Sequence, residues 1–218
     1  MSAIERSIAL NPAYPTSNHW HAECLMTMGR LDEAIARMKK SQELDPLSLI
    51  IGDGIGWAYY MARRFDESMD QLRRSLELDS HYPVTYWVLG QVLRKLERYG
   101  EAIAEGEKSV ALSGGSTGGS PVMRAAFAQT LAAAGQQDRA QQLLDDLLKL
   151  SRQKYVSPYF LAGIYSDLGQ HDRALEFLEK AYEDHSHWLL YLHIDPGMDA
   201  LRANQRFQDL LRRIGLPL

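Results

Sequence analysis

Three places in this 218-residue chain combine side chains that could do chemistry. His21-Ala-Glu23 has the spacing of a zinc deaminase ligand and its acid, but that chemistry also needs a Pro-Cys-x-x-Cys segment. Cys24 is the sole cysteine. His19 and Glu23 stand four apart, which puts them on one face of a helix as a polar pair. Cys24 leans inward in the same helix and reads as a buried, inert thiol. Gly114-Gly-Ser-Thr-Gly-Gly119 could turn backbone N–H groups toward an anion, yet a phosphate loop would continue with Lys and Ser/Thr where Ser120-Pro121 stand. It reads as a flexible link. His185, His187, His193 and Asp195 are the densest set of metal-capable groups, but they fall around irregular turns whose spacing predicts no convergence. No Ser-His-Asp or Cys-His constellation is supported, so the expectation is a non-catalytic chain with no metal and no cofactor.

Composition narrows the partners. Apolar residues make up 45% and charged residues 24%, a globular balance that excludes disordered and collagen-like classes. Lys+Arg 24 against Asp+Glu 28 gives a net charge of −4 with no basic stripe, so nucleic acid is not an expected partner. No stretch approaches the roughly 20 apolar residues of a spanning helix, and the N-terminus carries no signal-like run. One cysteine fits a reducing compartment, so a cytoplasmic location away from membranes is expected.

The elements that must carry these side chains repeat. Asn11-Pro12 and Asp45-Pro46 both follow helical runs ending in Leu, 34 residues apart, and Leu78-Asp79-Ser80 continues the register without the proline. Small residues recur at the eighth place of each unit (Ala22, Gly56, Gly90, Ala128, Ala162) and at the twentieth (Ala34, Ser68, Ala102, Ala140, Ala174). Both series step by 34 except for one step of 38, which coincides with the Gly-rich link. Apolar residues at helical spacing, broken midway by turns such as Met28-Gly-Arg-Leu-Asp32 and Leu168-Gly-Gln-His-Asp172, predict two antiparallel helices per unit, with the Asp as N-cap. Small residues allow the paired helices to approach closely, and Met38, Leu72, Leu144 and Leu178 fill the space behind them. Such units bury their apolar faces only by stacking.

Five units are expected, 15–48, 49–82, 83–116, 121–154 and 155–188, as one domain over 1–218. A partial unit over 1–14 precedes them and a helical cap over 189–218 follows, closed by Gly215-Leu-Pro217. With Tyr86, Leu89 and Gly90 in one unit, Tyr59 and Tyr165 at the eleventh place, and Pro12 and Pro46 at unit ends, the pattern resembles the tetratricopeptide repeat (TPR). The resemblance implies an all-α fold, a right-handed superhelical α-solenoid of helix hairpins with a C-terminal helical cap. The run from Glu179 through Asp195-Pro196, Asp199-Ala-Leu-Arg202 and Arg206–Arg213 is similar to the C-terminal end of bacterial multidomain proteins in which a kinase, winged-helix or β-propeller domain precedes the repeats.

In a stack of this kind the first helix of each hairpin lines the concave surface. The residues placed there include His19 and Glu23, then Asp53, Trp57 and Tyr60, then Trp87, Gln91 and Arg94, whereas the fourth unit offers little more than alanines. Trp57, Tyr60 and Trp87 are not required by the repeat's own packing, and such rings beside a few charges are typical interface anchors. The alternative is that the same rings cover the groove floor against neighbouring repeats or the chain's own ends. The family's clamp for a C-terminal carboxylate, built from Lys, Asn and Arg, is missing, since the corresponding places hold His19, Glu23, Val84 and Val88. The expectation is therefore a protein-interaction module whose groove takes a peptide or helix. The alternative is a structural or self-association module that dimerises through the partial unit.

Overall fold

The computed structural model describes residues 3–115 and 119–217; part of the Gly-rich link, at 116–118, and the outermost residues of the partial unit and the cap lie outside the described residues. The described residues are helical throughout their regular structure. They run α1 (Ala3–Leu10), α2 (Pro15–Thr27), α3 (Leu31–Leu44), α4 (Leu49–Met61), α5 (Phe65–Leu78), α6 (Pro83–Lys95), α7 (Tyr99–Leu112), α8 (Pro121–Ala133), α9 (Gln137–Leu150), α10 (Pro158–Asp167), α11 (His171–Glu183) and α12 (Gln205–Ile214). Two short 3-10 helices, His187–Tyr191 and Pro196–Leu201, lie between α11 and α12.

Local chemistry places these boundaries. Proline opens α2, α6, α8 and α10, where its missing N–H costs nothing. Each hairpin turns on a left-handed residue: Gly29 (φ 73°), Gly135 (φ 78°) and Gly169 (φ 74°) take it freely, while Arg63 (φ 60°) and Glu97 (φ 58°) hold the same place in units two and three. The aspartates expected as caps sit inside the first turn instead. Arg30, Arg64 and Arg98 occupy the N-cap positions without side-chain capping bonds, and each guanidinium reaches the glutamate three residues on, Glu33, Glu67 or Glu101. Asp32 and Asp172 then act through the positive end of the helix dipole.

Consecutive helices pair as α2/α3, α4/α5, α6/α7, α8/α9 and α10/α11, and the first helices of successive units lie side by side. The small residues form the contacts: Ala22, Ala34, Ala102, Ala128, Ala140, Ala162 and Ala174 are completely buried, and Ser68 donates its hydroxyl to the Gly56 carbonyl at 2.7 Å. Met38, Leu72, Leu144 and Leu178 are completely buried behind them. In unit three the equivalent place is Gly106, whose space is taken by the Phe127 ring of the next unit.

The two ends differ. None of the α1 residues is buried, although α1 packs on α2. At the other end α12 buries Phe207, Leu210 and Leu211, then stops at Gly215 (φ 83°), where the Leu216 amide donates to the Leu211 carbonyl at 2.9 Å. The 3-10 helices do more than cap this end, because they lie against the inner face of the stack.

Candidate functional site

The inner face is built by α2, α4, α6, α8 and α10, and the segment 187–202 lies along it. Its anchors are spread over the array. Met198 and Leu201 join the core of the last two units, while Tyr191 and Ile194 pack against the core of the first three. Tyr159 in α10 donates its hydroxyl to Asp195 at 2.6 Å, and Asp195 also accepts the Gly197 amide at 2.7 Å. Asp199 takes both Nη atoms of Arg63, at 2.5 and 2.8 Å, with Arg202 at 2.8 Å and Lys95 at 3.6 Å. Burial would raise the Asp199 carboxyl, but these cations hold it down at about 2. Arg63 carries a side chain at a turn position where units one, four and five use glycine, and that side chain reaches the segment.

This arrangement corrects the expectation of an open groove. Tyr60 is 1% exposed and stacks on Trp57 at a centroid distance of 5.1 Å; it belongs to the core. Arg94 is 5% exposed, pairs with Asp167 at 2.7 Å and donates to the Gln91 side chain at 2.9 Å. Gln91 in turn donates to the Ala126 carbonyl at 3.3 Å. These three have their partners within the chain and are not displayed for another molecule. Trp57 and Trp87 are half-buried and share the hydrophobic clusters of units one to three, so they too carry packing that the repeat pattern alone does not require.

What the segment leaves open is the end of the inner face nearest units one to three. A cavity of about 400 Å³ lies there, lined by His19, Trp20, Glu23, Ile50, Asp53, Gly54, Trp57, Tyr82, Val84, Trp87, Val88, His187, Trp188 and Tyr191. All four tryptophans of the chain are in this lining. Trp57 and Trp87 lie 5.2 Å apart, tilted by 33°, and Trp188 meets Trp87 edge-on at 6.2 Å and Tyr191 at 5.9 Å. Trp20 and Ile50 are 58% and 62% exposed at its edge. Asp53 is buried and accepts the Thr85 hydroxyl at 2.8 and 3.0 Å; burial pushes its carboxyl up to about 6 against the lowering effect of the Thr85 hydroxyl. Glu23 accepts the Tyr191 hydroxyl at 2.6 Å, and His19 Nε2 lies 4.0 Å from it. Burial lowers the His19 imidazole despite Glu23, which favours its neutral form near pH 7.

The metal-capable cluster of the sequence is dispersed. His185 is exposed in a turn at φ 52°, His187 lies over Trp188 at 5.0 Å, His193 points toward Gly29, and Asp195 is engaged by Tyr159. Among the described residues no three His, Cys, Asp or Glu side chains are grouped to hold a metal ion. Cys24 is half-buried, lining a second apolar cavity of about 360 Å³ with Ala3, Ile4, Ser7, Tyr14 and Trp20, so its thiol is less enclosed than expected.

Two family models described as tetratricopeptide repeat match the chain, one over residues 15–46 and 159–183 and the other over 54–117. This is a tetratricopeptide-repeat chain. Solved structures of similar fold include YrrB, a TPR protein with an unusual peptide-binding site, at 24% identity and a TM-score of 0.52, covering 88% of this chain and 97% of that one. TTC0263, a thermophilic TPR protein of Thermus thermophilus, aligns at 16% identity and a TM-score of 0.63, covering 84% and 98%. PilW, a type IV pilus biogenesis factor, aligns at 19% identity and a TM-score of 0.61, covering 88% and 87%. At these identities the likeness shows the fold. No curated protein matches the chain in sequence. Among the described residues no helix is long and apolar enough to cross a membrane.

Within the TPR frame, sequence reasoning placed His19, Glu23, Asp53, Trp57 and Trp87 around one space, and the structure brings these five together. It missed Trp20, Tyr82, Trp188 and Tyr191 as parts of the same lining. The available signal was the aromatic content of Trp188–Tyr191 in a segment beyond the last repeat, a surplus that a stack of hairpins does not itself consume.

Proposed function

We propose that this TPR chain is a non-catalytic protein-interaction module that receives a segment of a partner polypeptide at the part of its inner face left open by residues 187–202. The observation that carries the reading is the convergence of four tryptophans on one cavity whose edge exposes Trp20 and Ile50. Large rings held by neighbouring side chains offer contact area at low entropic cost, and a few polar groups then orient what binds. The fold supports the same reading, since TPR stacks generally serve protein–protein contacts. The single cysteine and the C-terminal likeness to bacterial multidomain proteins support a cytoplasmic setting within a larger regulatory polypeptide.

Affinity capture from source cells with the wild type and with Trp20→Ala/Ile50→Ser tests the reading. These two side chains are exposed, so the variant keeps its melting temperature and loses the specific partners. Recovery of the same partners by both proteins overturns it.

A second reading rests on the neighbouring side of α2, toward α1. The exposed α1 and the cavity it shares with Tyr14, Trp20 and Cys24 offer an apolar face for a second copy. A mass that rises with concentration in light scattering would favour this self-association, and a constant monomer mass would exclude it.

A further inference from the structure

We propose that the tryptophan-lined cavity selects a cationic side chain, a lysine or arginine of the partner segment, seated against the rings and countered by Asp53 and Glu23. This deepens the interaction reading above and rests on it.

The charges of the inner face are unevenly matched. Asp167 has Arg94, and Asp199 has Arg63, Arg202 and Lys95. Asp195, on the same face, is satisfied by a phenol and a backbone amide. Glu23 and Asp53, which line the cavity, have no arginine or lysine within ion-pair distance among the described residues. The titratable groups facing them are His19, His187, Tyr82 and Tyr191, and the lining contains neither Lys nor Arg. Asp53 is 3% exposed, and what its oxygens meet is the hydroxyl of Thr85, not a cation. A carboxylate kept this far from water without a cation is costly, and a cation arriving from outside would offset that cost.

The walls suit the same guest. Trp57 and Trp87 lie against each other and Trp188 stands nearly perpendicular to Trp87, so the three rings form one continuous aromatic wall along which a guest can lie. Ring faces attract ammonium and guanidinium groups, tryptophan most strongly, and the alkyl stem of either side chain covers apolar wall on the way in. A volume of about 400 Å³ admits such a side chain with part of its backbone. An acidic guest would face Glu23 and Asp53, and a neutral apolar one would leave both uncompensated.

The test uses the full chain and its own tryptophan emission, because every tryptophan lines the cavity. The probes are mixtures of capped heptapeptides with uncharged randomised flanks and a fixed central Lys, Arg, norleucine or Gln. At low salt and neutral pH, the Lys or Arg mixture reaches half-saturation at a concentration about tenfold lower than norleucine or Gln. In Glu23→Gln/Asp53→Asn that advantage falls below about threefold. Norleucine binding as well as or better than Lys and Arg in the wild type overturns the cationic inference and leaves the interaction reading standing. Retention of the full advantage in the double variant overturns it as well. Emission unmoved by any mixture overturns both. The wild-type comparison needs no variant to fold.

Discussion

Tyr191 donates its hydroxyl to Glu23 at 2.6 Å across 168 positions of sequence, joining the segment after the last repeat to the first helix of the first full unit. Burial and the neighbouring carboxylate keep the phenol protonated well above its ordinary range. Tyr191→Phe removes the donor and leaves Glu23 beside aromatic walls. The expected loss is about 1 to 2 kcal/mol, or roughly 3 to 6 °C in a calorimetric melt. Glu23→Gln keeps an acceptor and should cost less than half of that; equal losses would mean that the bond is not what matters there.

Asp53 provides a pH signature. Its carboxyl is raised from 3.8 to about 6, so the folded state holds the proton more tightly than the unfolded state does. The destabilisation is absent below about pH 3.8, grows as pH rises through about 6 and is complete above it. Asp53→Asn should therefore stabilise the protein at pH 7.5 by an amount on the order of 1 to 3 kcal/mol and make little difference at about pH 4. Urea unfolding at the two pH values checks this, and a variant less stable at pH 7.5 would show that the Thr85 bond outweighs the charge.

Arg94 stood among the groove residues in the sequence, and its burial assigns it a different role. Arg94→Ala strands Asp167 without its cation, for an expected loss of about 3 to 5 kcal/mol. Arg94→Met together with Asp167→Leu should recover most of it, because the pair is replaced by apolar volume. Denaturant melts of the two variants decide, and a mild effect of Arg94→Ala alone would contradict the buried pair.

Gly56 and Gly90 share the eighth place of their units but not their surroundings. A Cβ at Gly56 would lie 2.6 Å from Leu72 Cδ2, whereas one at Gly90 would have nothing nearer than the Ala102 carbonyl at 3.5 Å. Gly90→Ala should be neutral or up to about 1 kcal/mol stabilising through helix propensity, and Gly56→Ala should cost about 1 to 3 kcal/mol by overpacking. Gly90→Leu should be destabilising like Gly56→Ala. Thermal melts that rank the two alanine variants the other way would break this account of the contact.

The hairpins were legible because their determinants are local and periodic: a small residue at each contact, and apolar residues at helical spacing broken by a turn midway. The eighth and twentieth places named in the sequence are the helix contacts in the structure. The inner face was only partly legible. His19, Glu23, Asp53, Trp57 and Trp87 follow from helix geometry, but what covers Tyr60, Gln91 and Arg94 depends on pairings such as Arg94 with Asp167 and Arg63 with Asp199, which are 73 and 136 positions apart. No spacing rule links such residues, and the segment that supplies Asp199 has no repeat periodicity. The capping aspartates failed for a subtler reason. The repeat places an arginine one residue before the helix, and its bond to a glutamate three residues on occupies the terminus in another way.

The contact of segment 187–202 with the first units changes how such an array is expected to come apart. A stack in which every unit touches only its neighbours can fray from either end, one hairpin at a time. Here Tyr191 and Ile194 tie the last part of the chain to the first units, and releasing them disturbs both ends together. Unfolding is then all-or-none over far more of the chain than nearest-neighbour contacts would dictate. The segment can dock only on an inner face that the stacked units have already built, so its docking should follow hairpin stacking and come late in folding.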